Sequence, residues 1–285
     1  MTIIELNLLN LNKKEINVKG FIDKKGFIHK PHKRNIKDIP KNEEEKKFLM
    51  IPKNVEKILT SSELGISGVT HKKETYIIKF KNNFNAIYKT MKKKEIIGEV
   101  TTYDISKKLN WNIVPETVEN DFGKGNGSCQ KMIDGVEPYS GYDDKDNYIK
   151  INKNHFDDLS KIFVLDMITG NYDRHDANVI IDKNNKCWAI DNEDFGNPDT
   201  AKEFIKVLDS MCGLSSESDY NPMIVWLKKN LDKNDFLEFR KYILKNIKEV
   251  IDNEDKISKL LHSKDLDLSI ILNIINNIEF MKTIK

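Results

Sequence analysis

One segment in the second half of the chain restricts the possible folds most. Residues 179–181 and 187–190 are two short apolar runs of β-favouring residues, separated by five residues that include Asn184 and Asn185. Asparagine tolerates the positive φ angles that tight hairpin turns need. The pattern therefore predicts a β-hairpin.

The turn decides which residues face each other across this hairpin. If Asn184 and Asn185 are the two central turn residues, Asn178 lies directly opposite Asp191, with Cα atoms about 4.5–5.5 Å apart. Alternation then predicts one apolar face, made of Val179, Ile181, Trp188 and Ile190. We therefore expect Asn178 and Asp191 to form an oxygen-lined corner at the open end.

Such a corner suits a divalent cation. Mg²⁺ prefers oxygen ligands, takes one or two carboxylates from the protein and completes its shell with water and substrate phosphate. Asn178 and Asp191 can supply that partial set, and we expect Asp194 to act as a supporting or second-ion residue. Asp173 lies in the loop that enters the hairpin, where a carboxylate without metal can accept the proton of an attacking hydroxyl. Arg174 is predicted to brace the carboxylates of this loop.

Residues 173–178 and 189–191 carry a resemblance to known enzymes. They read Asp-Arg-His-Asp-Ala-Asn and Ala-Ile-Asp, and they resemble the catalytic and metal motifs of phosphoinositide 3/4-kinase-like enzymes. They are also similar to the motifs of HipA-type bacterial kinases and of the secretory-pathway protein and sugar kinases. Residues 86–117 resemble the Lys strand, Glu helix and Pro turn of prokaryotic phosphoinositide-kinase-like proteins. The resemblance covers roughly residues 59–196.

This resemblance implies an α+β, two-lobed protein-kinase-like fold with a small β-rich N-lobe and a larger helical C-lobe. Residues 1–55 are expected to form an accessory segment, 56–135 the N-lobe, and 136–285 the C-lobe with the catalytic hairpin. The implied activity is transfer of the γ-phosphoryl group of ATP, with Mg²⁺ or Mn²⁺, to a hydroxyl on a protein or a small molecule. Two alternatives stay open: a nucleotide-binding pseudokinase that acts as a regulatory module, and a lipid kinase of phosphoinositide type.

The resemblance also implies the residues that hold the nucleotide. Lys89 is expected to reach the phosphates with Glu99 as its partner, and Glu95 is a rival for that role. Adenine is placed near Met132 and Ile133, although spacing alone puts Met132 in the core. A loop over residues 60–69 is predicted to cover the phosphates through Ser62, Gly65, Ser67 and Gly68.

Composition supports a soluble protein in a reducing compartment. The net charge of +2 provides no electrostatic case for nucleic acid binding. The three cysteines, Cys129, Cys187 and Cys212, are odd in number and far apart, without metal-like spacing. Because we find neither an N-terminal apolar signal segment nor a run long enough to span a membrane, we expect a cytoplasmic location.

Periodicity predicts the remaining elements. In the first 60 residues it indicates a hairpin around residues 23–26 and a charged helix over 42–59 that Pro52 interrupts. Strands are predicted over residues 75–80, 85–89 and 128–133. Helices are predicted over 98–109, 156–168, 201–211, 223–231, 235–251 and 266–284. Gly170 is expected to end the second of these helices.

Overall fold

The computed structural model describes residues 6–7, 15–18, 21–22, 28–29, 32–35, 52–60, 74–81, 85–138, 149–213 and 222–284. The chain divides into two compact units, Met1–Phe48 and Leu49–Lys285. The boundary at residue 135 between the two lobes of the second unit stays a prediction.

The first unit contains short antiparallel strands. They are β1 (Leu6–Asn7), β2 (Glu15–Val18), β3 (Phe21–Ile22), β4 (Ile28–His29) and β5 (His32–Asn35). One sheet has the order β1-β2-β5, and β3 pairs with β4. The pairing of Ile22 with Ile28 confirms the predicted hairpin around residues 23–26.

The second unit begins with a five-stranded antiparallel sheet. Its strands are β6 (Val55–Thr60), β7 (Thr75–Phe80), β8 (Asn85–Thr90), β9 (Thr117–Asp121) and β10 (Asn126–Lys131), in the order β6-β7-β8-β10-β9. The predicted helix is wrong over the residues that form β6. Their backbone groups pair with β7 instead, and sheet pairing of this kind overrides a local helical preference.

Helix α1 (Lys93–Lys108) packs against strands β9 and β10. It begins five residues before the predicted start, because the carboxylate of Glu95 accepts a hydrogen bond of 2.8 Å from the backbone N–H of Lys92. A side-chain acceptor at this position satisfies one of the amide groups that a helix start leaves unpaired. Glu95, the rival partner for Lys89, therefore caps the helix.

The C-terminal part is helical. It contains α2 (Phe156–Thr169), α3 (Thr200–Met211), α4 (Pro222–Leu227), α5 (Lys233–Asp252), α6 (Glu254–His262) and α7 (Leu268–Met281). Helix α6 was not predicted. Helix α2 is central and buried almost all round, and it ends at Gly170 as predicted. Gly170 has φ 75°, and a Cβ there would lie 2.4 Å from the backbone nitrogen of Asn197, so only glycine fits.

The predicted hairpin exists, but its register is shifted by one residue. Strands β12 (Val179–Asp182) and β13 (Cys187–Ala189) pair antiparallel with Val179 opposite Ala189, and β11 (Gly135–Val136) joins β12 on its other side. The loop has three residues rather than two, and its last residue, Asn185, has φ 60°.

This shift reverses the faces of the second strand. Cys187 and Ala189 are buried, whereas Trp188 and Ile190, which were predicted to share the apolar face, are half-buried. A one-residue change of register moves every side chain of a strand to the other face. The predicted register is therefore wrong, although the hairpin itself is confirmed.

The predicted α+β fold class is confirmed. A small antiparallel sheet precedes a larger helical part, in the two-lobed arrangement that was expected. In the ranges that the structure describes, no helix is both long and apolar enough to cross a bilayer.

Candidate active site

A buried arginine holds the site together. The side chain of Arg174 is fully buried, and its Nε and Nη2 atoms donate to the two carboxylate oxygens of Asp166 at 3.0 and 2.9 Å. Its Nη1 atom donates to the backbone oxygens of Asn178, at 2.8 Å, and of Ile190. Because the guanidinium is rigid and planar, these bonds fix helix α2 and the hairpin relative to each other. Arg174 is thus a brace, as predicted, but its carboxylate partner lies in helix α2.

The candidate phosphate-binding lysine pairs with the candidate metal ligand. Nζ of Lys89, on strand β8, lies 2.8 Å from Oδ1 of Asp191, just after strand β13. Glu99, the predicted partner of Lys89, is close enough to act on its charge, but Oε2 of Glu99 accepts a hydrogen bond of 3.3 Å from Asn192. The structure therefore brings Lys89, Glu99 and Asp191 together with an ion pair that the sequence did not predict.

Asp191 does not lie directly opposite Asn178, which corrects the expected geometry. The N–H of Ile190 donates to the backbone oxygen of Asn178 at 3.1 Å, so Ile190 takes the facing position. Asp191 follows with φ 55°, an uncommon conformation for a residue other than glycine. The Asn178 side chain is buried, and its Nδ2 donates to the backbone oxygen of Asp173 at 2.9 Å.

A cavity of about 360 Å³ brings the acidic candidates together. Asp173, Asp191 and Asp194 all line it, with Lys92 and Lys94 from the start of helix α1. The side chain of Asp173 is exposed, as a group that accepts a proton from a substrate must be. Three of the predicted catalytic and metal residues therefore share one cavity. The Asn178 side chain bonds the backbone of Asp173 but does not line the cavity.

Asp194 has a structural role in this arrangement. Its Oδ1 accepts from Nδ2 of Asn197 at 2.9 Å, and its Oδ2 accepts from the backbone N–H of Tyr172 at 3.1 Å. Asp194 therefore ties the segment after Asp191 to the residue that precedes Asp173. The carboxylate of Asp191 is engaged as well, by Lys89, and which of the two residues ligates a metal stays a prediction.

Helix α1 lies directly on the loop that follows Asp191. A Cβ atom built at Gly98 would lie 2.8 Å from Cβ of Phe195 and 3.2 Å from the backbone oxygen of Asn192. Only glycine allows this approach without displacement. Sequence reasoning missed Gly98 and Asn192, although a glycine inside a helical pattern, next to Glu99, was a usable signal.

The segment expected to contact adenine connects the sheet to the helical part. Met132 follows strand β10, and its N–H donates to the backbone oxygen of Asn85 at 3.0 Å. Its side chain is 40% exposed and Ile133 is half-buried, so the alternative that placed Met132 in the core is wrong. The predicted phosphate-loop residues lie outside the described residues, and their role stays a prediction: Ser62, Gly65, Ser67 and Gly68.

Burial and charge compete at the ionisable groups of the site. Burial lowers the pKa of Lys89, but the carboxylates of Asp191 and Glu99 outweigh it and raise that pKa above its usual range. Burial raises the pKa of Glu99, and the Lys89 ammonium and the Asn192 N–H groups oppose the rise. Burial likewise raises the pKa of Asp166 against the opposing charge of Arg174.

The oxygen atoms of Asn178 and Asp191 are of the type that a hard cation with few protein ligands prefers. Nδ2 of Asn178 is engaged as a donor, so its amide oxygen is the atom that could ligate a cation, and Asp191 offers a carboxylate whose Oδ1 also accepts from Lys89. Among the described residues, no three His, Cys, Asp or Glu side chains form a group that could hold a metal by themselves. The role of Mg²⁺ at this site therefore stays a prediction.

Comparisons with known proteins give likenesses to solved structures but none at the level of sequence. No protein-family model matches the chain, and no curated protein matches its sequence significantly. Among solved structures, a Helicobacter pylori proinflammatory kinase, CtkA, is similar, with 16% sequence identity and a TM-score of 0.48. The match covers 79% of this chain and 92% of that chain.

Proposed function

We propose that this chain is an ATP- and Mg²⁺-dependent kinase that transfers the γ-phosphoryl group to a hydroxyl, on a protein serine or threonine or on a small molecule. The observation that supports it best is the shared cavity, where Asp173 lies with Asp191 while Lys89 contacts Asp191 at 2.8 Å. The candidate proton acceptor and metal ligand line this cavity, and the candidate phosphate-binding cation, from a distant part of the chain, bonds the metal ligand. Phosphoryl transfer depends on positioning and electrostatics of this kind.

Each residue has a distinct part in this proposal. Asp173 accepts the proton of the attacking hydroxyl, and its exposed carboxylate is accessible for this step. Asp191 and the amide oxygen of Asn178 would hold Mg²⁺, which when bound neutralises charge on the β- and γ-phosphates. Lys89 binds phosphate oxygens through an ammonium that stays charged at neutral pH, since its pKa is raised. Arg174 keeps Asn178 and the strand before Asp191 in place.

Nucleotide binding can be tested by thermal unfolding. Mg²⁺ with ATP should stabilise the protein by about 2.7 kcal/mol at a hundredfold excess over Kd. EDTA should remove most of that gain, because the nucleotide is held partly through the metal. Identical melting with and without millimolar Mg²⁺-ATP would rule the proposal out.

Turnover separates the proton acceptor from the binding residues. Asp173→Ala should nearly abolish transfer of label from γ-labelled ATP, to the protein itself or to acceptors in a lysate, and leave nucleotide-dependent stabilisation intact. Asp176→Ala, an acidic residue of the same loop without an assigned role, is the matched control. Wild-type binding without any turnover would instead identify a pseudokinase, and label on lipid would identify a lipid kinase.

The metal ligand is tested by comparing two acidic residues. Asp191→Asn should raise the Mg²⁺ concentration for half-maximal nucleotide-dependent stabilisation much more than Asp194→Asn does. The carboxylate oxygens of Asp194 already accept bonds from Asn197 and Tyr172. A larger shift in Asp194→Asn would overturn the assignment of Asp191.

A further inference from the structure

One buried amide side chain contacts both helix α1 and the catalytic loop. Asn192 is 1% exposed and directly follows Asp191 in the chain. Its Oδ1 accepts from Nη2 of Arg174 at 2.6 Å, and its Nδ2 donates to Oε2 of Glu99 at 3.3 Å. Both ends of the amide are thus used, and they are used on different elements. A buried amide satisfied on both sides has a single well-defined orientation.

Glu99 is placed to act on this amide. Its side chain is 2% exposed on helix α1, and its hydrogen bond goes to Asn192 while the ammonium of Lys89 bonds Asp191. Charge alone links Glu99 to Lys89, as the raised pKa of that lysine indicates. The direct contact of Glu99 is therefore with the neighbour of the metal-ligand candidate.

Asp191 needs support on both sides. Its φ of 55° is a strained conformation that persists only where the surrounding structure enforces it. On one side Arg174 binds the backbone oxygen of Ile190, and on the other side Arg174 and Glu99 bind the Asn192 side chain. Both neighbours of Asp191 are thus fixed by buried polar contacts.

We propose that Asn192 and Glu99 are positioning residues for Asp191: Glu99 acts through the Asn192 amide to hold the Asp191 carboxylate where it binds metal. Metal binding by Asp191 rests on the proposed function. The position of the loop around Asp191 does not depend on it. Glu99 is then needed as a hydrogen-bond acceptor for Asn192 more than as a charge for Lys89. Partners of this kind, one contact removed from the metal, typically change metal affinity or activity by about 10–100-fold.

Two substitutions at Glu99 separate the roles. Glu99→Gln removes the charge but keeps an oxygen that accepts from Nδ2 of Asn192, whereas Glu99→Leu removes both. We expect Glu99→Gln to keep the half-saturating Mg²⁺ concentration for ATP-dependent stabilisation within about threefold of wild type, and Glu99→Leu to raise it by at least about tenfold. Equal defects in the two variants would show that the charge of Glu99 matters, rather than its hydrogen bond with Asn192, and would overturn the inference.

Replacing Asn192 should change the Mg²⁺ dependence as much as replacing its partner Glu99 by leucine does. Asn192→Leu keeps the size of the side chain and removes both hydrogen bonds, so we expect a shift of about 10–100-fold, like that of Glu99→Leu. The double variant should be no worse than the worse single variant, because both remove one shared contact. Independent, additive defects would contradict the coupling.

A matched control and a second readout keep the test independent of catalysis. Asn246→Leu removes another fully buried amide, one that bonds Ser160, and should lower the melting temperature without changing the Mg²⁺ dependence. Amide hydrogen exchange over residues 189–197, without nucleotide, should be faster in Asn192→Leu and Glu99→Leu and unchanged in Glu99→Gln and Asn246→Leu.

These readouts distinguish failure of the proposed function from failure of the positioning inference. If wild-type protein shows no ATP binding but the exchange pattern is as expected, the proposed function fails and the positioning of the loop holds. If exchange over residues 189–197 is unchanged in both Leu variants, the positioning inference fails whatever the activity. Should Asn192→Leu not fold, the comparison of Glu99→Gln with Glu99→Leu still decides between the outcomes.

Discussion

Gly98→Ala adds one methyl group where helix α1 meets the loop after Asp191. The new Cβ would lie 2.8 Å from Cβ of Phe195 and 3.3 Å from the backbone oxygen of Glu193. Alanine favours the helix by about 1 kcal/mol over glycine, while overpacking of a tight contact costs about 1–3 kcal/mol. We therefore expect a net loss between zero and about 2 kcal/mol in the free energy of unfolding.

The effect on the site should be larger than the effect on stability. Relief of the contact requires the loop to move by about half an ångström, since close-packed atoms do not overlap. Because a displacement of about 1 Å can cost about a hundredfold in rate, we expect turnover to fall by about tenfold. Urea unfolding measures the stability, and initial rates at saturating Mg²⁺ and ATP measure the turnover.

Gly123→Ala is the control for this prediction. Gly123 has φ 78° in the turn between strands β9 and β10, and an added Cβ there meets no atom within 4 Å. Its left-handed backbone makes alanine cost about 1 kcal/mol or more, a similar stability loss with no contact to the loop. Turnover should therefore be retained. If Gly98→Ala instead gains about 1 kcal/mol, the value that propensity alone predicts, and keeps full activity, the close contact does not exist.

Three further predictions concern stability. Asn185→Gly should stabilise the protein by up to about 1 kcal/mol in urea unfolding and Asn185→Val should destabilise it, because φ is 60° at this position. Arg174→Met should cost about 3–5 kcal/mol, since it leaves Asp166 buried and unpaired, and adding Asp166→Leu should recover part of that loss. Because the pKa of Glu99 is raised, the native state binds more protons than the unfolded state between about pH 4.5 and the native pKa. The stability of Glu99→Gln relative to wild type should therefore rise with pH across this window and level off above it. A flat or opposite trend in urea unfolding across pH would refute the raised pKa.

Local pattern was enough to place most elements of the second unit. The strand over residues 75–80 was predicted with its observed bounds, and the helix ended by Gly170 differs from prediction by one residue. These features depend on neighbours in the chain: alternation for a strand, helical periodicity, and a glycine able to adopt a left-handed conformation. The helix expected over residues 42–59 failed where its end pairs with strand β7, a contact that local periodicity does not contain.

In the candidate site, too, local sequence features were predicted correctly and features set by the fold were not. The sequence indicated Asp173, Asp191 and Asp194 because their order and spacing are local, and the structure places all three at one cavity. The register of the hairpin was missed because one backbone angle, at Asn185, sets the length of the turn. A difference of one residue then changed the residue opposite Asn178.

The sequence by itself determined the fold class, most helices and strands, and the acidic residues that the proposed chemistry needs. Only the tertiary structure decided that Lys89 pairs with Asp191, 102 residues further along the chain, and that Glu99 bonds Asn192. It also decided why residue 98 is glycine, because the atoms that exclude a Cβ there belong to Phe195 and Asn192. The physical reason is that periodicity reports contacts within about one or two helical turns, whereas a buried ionisable group takes whichever partner the packed chain brings within hydrogen-bonding distance.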